Sequence, residues 1–201
     1  MTNRDKQPND LLWVWHCLSA TAKTGLLNQP RIPIAVLEIA MEHGNSAERT
    51  QVAAHRYTPP IDLAVLARDE SSQVRAAVAK NRRTPVPVLV ALASDSAWET
   101  RHQLSGNPNT PGEVLDQLVT SATKDVLRRI AAHKQATVEV LQQLGAHSNE
   151  QIRRRVAANL RTPPEVLTRL ATDPVDTVAA AALRNPSLPA HVRALAQVAR
   201  S

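Results

Sequence analysis

A chain of 201 residues with 43% apolar side chains is long enough for one domain of ordinary size and can fill a core. Aromatics make up only 2% and glycine only five residues, which argues against a sheet core and against a glycine-rich phosphate loop. The single cysteine, Cys17, rules out an internal disulfide or a multi-cysteine metal site built by this chain alone and suggests a reducing, cytoplasmic setting, while a net charge of +6 favours an anionic partner.

Residues 1–8 read as a flexible N-terminus. The apolar stretch that follows, Leu11 to Leu18, is too short to span a membrane. It comes after Asp5 and Asp10 and lacks the basic start and cleavage site of a signal peptide. No membrane partner is expected. The stretch fits a capping helix within 9–27, closed by Gly25, in which Leu11, Trp15, Leu18 and Ala22 make one stripe.

From 28 to 190 the chain repeats. Pro33, Pro59, Pro85, Pro111, Pro163 and Pro189 lie on one lattice of spacing 26, whose vacancy at 137 holds Thr. Leu37, Leu63, Leu89, Leu115, Leu141 and Leu167 keep the same register, as do Leu66, Leu92, Leu118, Leu144 and Leu170. A further column reads Val52, Val78, Leu104, Ile130, Val156 and Ala182. Constant spacing without insertion makes each unit one step of a solenoid. A single unit offers too few apolar side chains to offset the entropy of ordering its backbone, so neighbours must complete each other's core.

Within a unit, Thr-Pro pairs such as Thr58-Pro59 and Thr84-Pro85 predict a threonine N-cap with proline at the first helical position. Glu113 and Glu165, three residues after Thr110 and Thr162, predict capping boxes. The apolar spacing that follows gives a helix of about nine to eleven residues, here termed helix A. A polar linker leads to a second short apolar pattern, helix B, exemplified by Val74 to Ala79. Helix B ends at a column reading His55, Asn81, Asn107, His133, Asn159 and Asn185, residues suited to a left-handed C-terminus or to hydrogen bonds with a neighbouring turn. A second capping helix is expected over 191–201.

The stretches VRAAVAKNRRTPVPVLVALASD (Val74 to Asp95) and IRRRVAANLRTPPEVLTRLATD (Ile152 to Asp173) resemble the leucine-rich repeat variant family, and the likeness runs over roughly residues 30–195. It implies an all-α, right-handed superhelical solenoid, HEAT-like in outline, alternating α-helices with short helices of 3₁₀ character. Some members carry an N-terminal cysteine cluster for an iron–sulfur centre, which a chain with Cys17 alone does not reproduce.

Function is then a matter of surface. Arg49, Arg75, Arg101 and Arg153 share one column of helix B, flanked by Arg128, Arg129, Arg154 and Arg155. The turns from helix B to helix A carry Arg56, Lys80, Arg82, Arg83, Lys134, Arg161 and Arg184 and no acid. The eight arginines of helix B, together with Lys80, Arg82 and Arg83 of the turns, are candidates for contact with an anionic partner. The plain alternatives are an Arg column that bridges neighbouring units and turn cations that complement helix C-termini. Trp98 interrupts a column that otherwise reads Ser46, Ser72, Lys124, Glu150 and Asp176, and Trp13 lies off the capping stripe; both are candidate protein contacts. The seven histidines show no metal-binding spacing, and His16 and Cys17, adjacent on a helix, do not face each other. No catalytic residue, metal or cofactor is expected. The likeness to superhelical DNA glycosylases is one of outline only. The expectation is a non-enzymatic scaffold for a protein partner, with duplex nucleic-acid (DNA) backbone binding through the arginine face as the alternative.

Overall fold

The computed structural model describes residues 7–120 and 122–198. It divides into two compact units, Met1–Asn107 and Pro108–Ser201. Among the described residues every regular element is helical. The first unit contains α1 (Gln7–Cys17), α2 (Ala20–Leu27), α3 (Ile34–His43), α4 (Ser46–Ala54), α5 (Pro60–Leu66), α6 (Ser72–Lys80), α7 (Val86–Ala91) and α8 (Trp98–Leu104). The second contains α9 (Gly112–Val119), α10 (Lys124–Ala131), α11 (Val138–Gly145), α12 (Glu150–Ala158), α13 (Pro164–Leu170), α14 (Asp176–Arg184) and α15 (Ala190–Val198). Helices A are the odd-numbered ones from α3 to α13, and helices B the even-numbered ones from α4 to α14.

Helices B stack in one layer of each unit, α4 on α6 on α8 and α10 on α12 on α14, with α3, α5, α11 and α13 packed beside their own helix B. The repeated apolar columns are the core. Leu37, Leu63, Leu89, Leu115, Leu141 and Leu167 are fully buried, as are Val52, Val78, Leu104, Ile130, Val156 and Ala182. One spacing therefore supplies both packed layers of each unit.

Several expectations change at the helix ends. The region 9–27 is two helices, because Ser19 takes an extended backbone and caps α2, its hydroxyl accepting from the Ala22 amide at 3.2 Å. Gly25 lies inside α2. Trp15 is buried as the stripe requires, whereas Leu11 is exposed. Gln7 and Pro8 already belong to α1, and residues 1–6 and 199–201 lie outside the described residues. Helix B is α-helical in every repeat; the 3₁₀ turn that does occur, Leu92–Ser94, continues α7.

The threonine before proline does not cap helix A. Proline itself is the N-cap, at Pro59, Pro85, Pro111 and Pro163, and helix A is correspondingly short, six to ten residues. Buried Thr58, Thr84 and Thr162 instead donate their hydroxyls backwards to the carbonyls of Val52, Val78 and Val156, closing the last turn of the preceding helix B. The capping boxes expected at Thr110 and Thr162 are absent because Pro111 and Pro163 hold the N-cap positions, and one forms at Asn45 and Glu48. At the lattice vacancy the hydroxyl moves one residue on. Thr137 caps α11, accepting from the Val140 amide at 3.2 Å, and buried Ala136 takes the usual threonine place.

The Asn column closes each repeat onto the one before. The C-cap residues Asn81, Asn159 and Asn185 keep extended backbones, not the left-handed one, and no described residue has positive φ. Their work is done by the side chains. Asn81 Nδ2 donates to Ala53 O (2.7 Å) and His55 O (3.1 Å), and Asn107 Nδ2 to Ala79 O (2.7 Å) and Asn81 O (2.9 Å). Asn159 and Asn185 do the same in the second unit. Asn81 Oδ1 accepts from the Arg83 amide, two residues on. His55 copies this with a ring: Nε2 donates to Gln29 O at 2.9 Å, and Nδ1 accepts from the Tyr57 amide.

Candidate functional site

The arginine column is committed inside the molecule. Arg49 grips the carboxylate of Asp69 through Nε (2.6 Å) and Nη2 (3.1 Å), Arg75 grips Asp95 (2.6 and 3.1 Å), and Arg153 grips Asp173 (2.7 and 3.0 Å). In each case Nη1 also donates to carbonyls of the linker before its own helix: Gly44 for Arg49, Asp69 and Glu70 for Arg75, His147 and Ser148 for Arg153. Arg101 makes the same linker contacts, to Asp95 O (2.6 Å) and Ser96 O (3.0 Å). In Arg49, Arg75 and Arg153 a planar fork satisfied on both edges fastens one linker to the next, so these three arginines are engaged within the fold. Burial pushes the Asp69 and Asp95 carboxyls up, but hydrogen bonds from Arg49 and Arg75 and from the Ser71 and Ala97 amides outweigh it and hold both below their ordinary value. At Asp173 the hydrogen bond from Arg153 dominates, with the same result.

The adjoining arginines behave differently. Arg128 and Arg129 on α10 share Asp125, at 2.5 and 3.4 Å, and Arg128 also donates to Gln151. Arg154 and Arg155, one repeat on along α12, are exposed and make no side-chain bond within the described residues. Because α10 packs on α12, the four form a two-by-two cationic array. Its rows are separated by about one helix–helix spacing, roughly 8–10 Å. In the first unit Lys80, Arg82, Arg83 and Arg56 line a surface cavity of about 360 Å³, and Arg56 lies over the Tyr57 ring at 4.7 Å.

Both candidate tryptophans are at the surface. Trp13 is 69% exposed and Trp98, the first residue of α8, is 60% exposed with its ring against His102. Among the described residues no group of His, Cys, Asp or Glu could hold a metal, and no helix is long and apolar enough to cross a membrane.

No family model matches the chain, and no curated protein matches it. A solved structure described as a leucine-rich repeat variant with a novel repetitive protein structural motif superposes with a TM-score of 0.64, over 96% of this chain and 82% of that one, at 22% identity. The fold is that of a leucine-rich repeat variant. In a leucine-rich repeat variant fold the two units act as controls for each other, since a side chain required for folding recurs in both. Three outward columns of helix A separate them. In the first unit these hold Ala35, Ile61 and Pro87, then Glu38, Ala64 and Val90, then Ile39, Val65 and Ala91. In the second they hold Glu113, Glu139 and Glu165, then Asp116, Gln142 and Thr168, then Gln117, Gln143 and Arg169. The leucine-rich repeat variant scaffold therefore does not need the apolar face of the first unit. Sequence reasoning missed this face because it compared columns for what they share; the signal lay in where the halves differ.

Proposed function

We propose that this protein is a non-enzymatic repeat scaffold of a reducing compartment that binds another protein. The observation that carries this reading is Trp98, a largely exposed ring in a column where the other repeats place polar residues. One tryptophan buries a large apolar area on contact, which makes an unneeded exposed one a favourable anchor. Trp13, exposed on α1, is a second anchor of the same kind. Trp98→Ser and Trp13→Ser are expected to leave stability within about 0.5 kcal/mol of the parent, as for other surface changes. Protein capture in a quantitative pull-down should fall about tenfold, the loss of about 1.4 kcal/mol of contact. A large drop in melting temperature with unchanged capture would assign both rings to the scaffold.

The array of Arg128, Arg129, Arg154 and Arg155 favours a second reading, attachment to the phosphate backbone of a nucleic-acid duplex. With so few aromatics for bases to stack on, such binding would be by charge and largely indifferent to sequence. Changing all four to Ala should weaken duplex binding uniformly across sequences and reduce the salt slope by up to about 3.6. Undiminished binding, or none by the parent at low salt, counts against it.

A further inference from the structure

We infer that the outward helix-A face of the first unit is a docking groove for an acidic segment of a partner protein that carries apolar anchor side chains, a proposal that rests on the scaffold reading above. The floor is apolar and open to water: Ile61 is 71% exposed, Val65 57% and Val90 46%. Contiguous apolar surface that the fold does not require marks an interaction site.

The ends of this face select the charge of the occupant. At the start of α3 and α5, a cavity of about 660 Å³ is lined by Ile34, Tyr57, Pro59 and Pro60 together with Arg31 and Arg83. Around the last turn of α5, a second cavity of about 570 Å³ is lined by Ile61, Ala64, Val65 and Met41, with Arg68 at its edge. The guanidinium groups of Arg31, Arg68 and Arg83 have no carboxylate partner within the described residues, unlike those of Arg49 and Arg75. Arg83 also faces the neighbouring cavity shared with Arg56, Lys80 and Arg82, where no acid lines the wall. Asp69, in the second cavity, is already held by Arg49. An apolar floor between unneutralised forks fits leucine-like anchors flanked by carboxylates. A phosphate backbone would leave the floor wet, and a basic segment would be repelled by both ends. Glu38, exposed on α3, lines neither cavity.

The test is selection of random 12-residue peptides displayed on phage against the intact protein, followed by affinity measurement of the enriched peptides. Enriched sequences are expected to combine Asp or Glu with Leu, Ile, Phe or Trp. Their affinity should fall at least about tenfold for the double variant Ile61→Ser/Val65→Ser, from lost burial. It should fall about fivefold for Arg83→Glu, and all these losses should leave the melting temperature unchanged. Glu139→Ser, the equivalent place in the second unit, should leave affinity as it was. Enriched peptides that bind the double variant as well as the parent overturn this site and leave the scaffold reading standing. Enrichment of basic peptides, or of none, overturns it as well. So does a concentration-dependent dimer abolished by Ile61→Ser/Val65→Ser, which would give the face to a second copy of the chain.

Discussion

Asn81→Ala is expected to cost about 3–4 kcal/mol, several times the effect of an ordinary surface substitution. The side chain makes three hydrogen bonds, two donated to Ala53 O and His55 O and one accepted from the Arg83 amide. Each is worth about 1 kcal/mol net, and truncation also strands two carbonyls beside a buried side chain. The effect should spread, because Asn81 O is itself the acceptor for Asn107. Urea denaturation of Asn81→Ala, Asn81→Asp and Asn81→His separates the causes. Aspartate keeps the acceptor but turns a second oxygen on the two carbonyls, so it should be at least as damaging as alanine at pH 7. Histidine should recover more than half of the loss, because His55 already makes both kinds of contact in the preceding repeat. Equal losses for alanine and histidine would mean that packing volume, not the paired hydrogen bonds, sets this column.

The repeat length and the core were legible because each apolar column recurs without insertion and a solenoid reuses one environment. Leu63, Leu89, Val52 and Val78 could be placed inside without any knowledge of the path of the chain. The polar columns were legible as columns but not in their direction. Thr84 has one hydroxyl and two helix ends within reach, and sequence places it before α7 as a cap. The structure sends the hydroxyl back to Val78 O, because Pro85 takes the N-cap position of α7 and the end of α6 supplies a buried carbonyl. Asn81 likewise fits a left-handed C-cap in sequence, but its side chain spans to the previous repeat, a contact that no local rule contains.

The candidate site was legible in part, for the same reason. Arg49, Arg75 and Arg153 look free when only the basic residues are tabulated, and their carboxylate partners stand 20 residues further on, in the following linker. Arg154 and Arg155 could be singled out because they exceed the column, and they alone of the α12 arginines remain without a partner among the described residues. Asp62 shows the converse. It stands in a column that otherwise reads Val36, Val88, Val114, Val140 and Val166, and partial burial pushes its carboxyl up. It follows Ile61 on α5 but stands outside the three columns in which the units differ, and it lines neither cavity of that face.

Arg75→Ala should cost about 3 kcal/mol at neutral pH, because it leaves a carboxylate that is 4% exposed without its counter-ion. It also releases the Asp69 and Glu70 carbonyls that Nη1 holds. Arg75→Lys should recover little of this, since an ammonium cannot make the two parallel bonds to Asp95 and reach the linker at once. The chain contains its own control. In the second unit Leu127 stands in the arginine column and His147, 20 residues on, in the aspartate column, so the guanidinium and the carboxylate are missing together. The double variant Arg75→Leu/Asp95→His should therefore be closer to the parent than either single change, with a coupling energy of about 1–3 kcal/mol. The pH dependence follows from the depressed carboxyls. Asp95 binds its proton less readily folded than unfolded, so its pair with Arg75 contributes fully above the ordinary carboxylate value of about 3.9 and is lost as pH falls through the lower native value. Without Arg75 the burial of Asp95 is unopposed by that pair, and the acid-sensitive contribution disappears. The stability gap between parent and Arg75→Ala should be widest at pH 7 and should narrow as pH falls into and below the carboxylate range. A gap that stays constant into acid would show that the guanidinium acts through its contacts with the linker carbonyls, and that the carboxylate contributes no net free energy to joining the repeats.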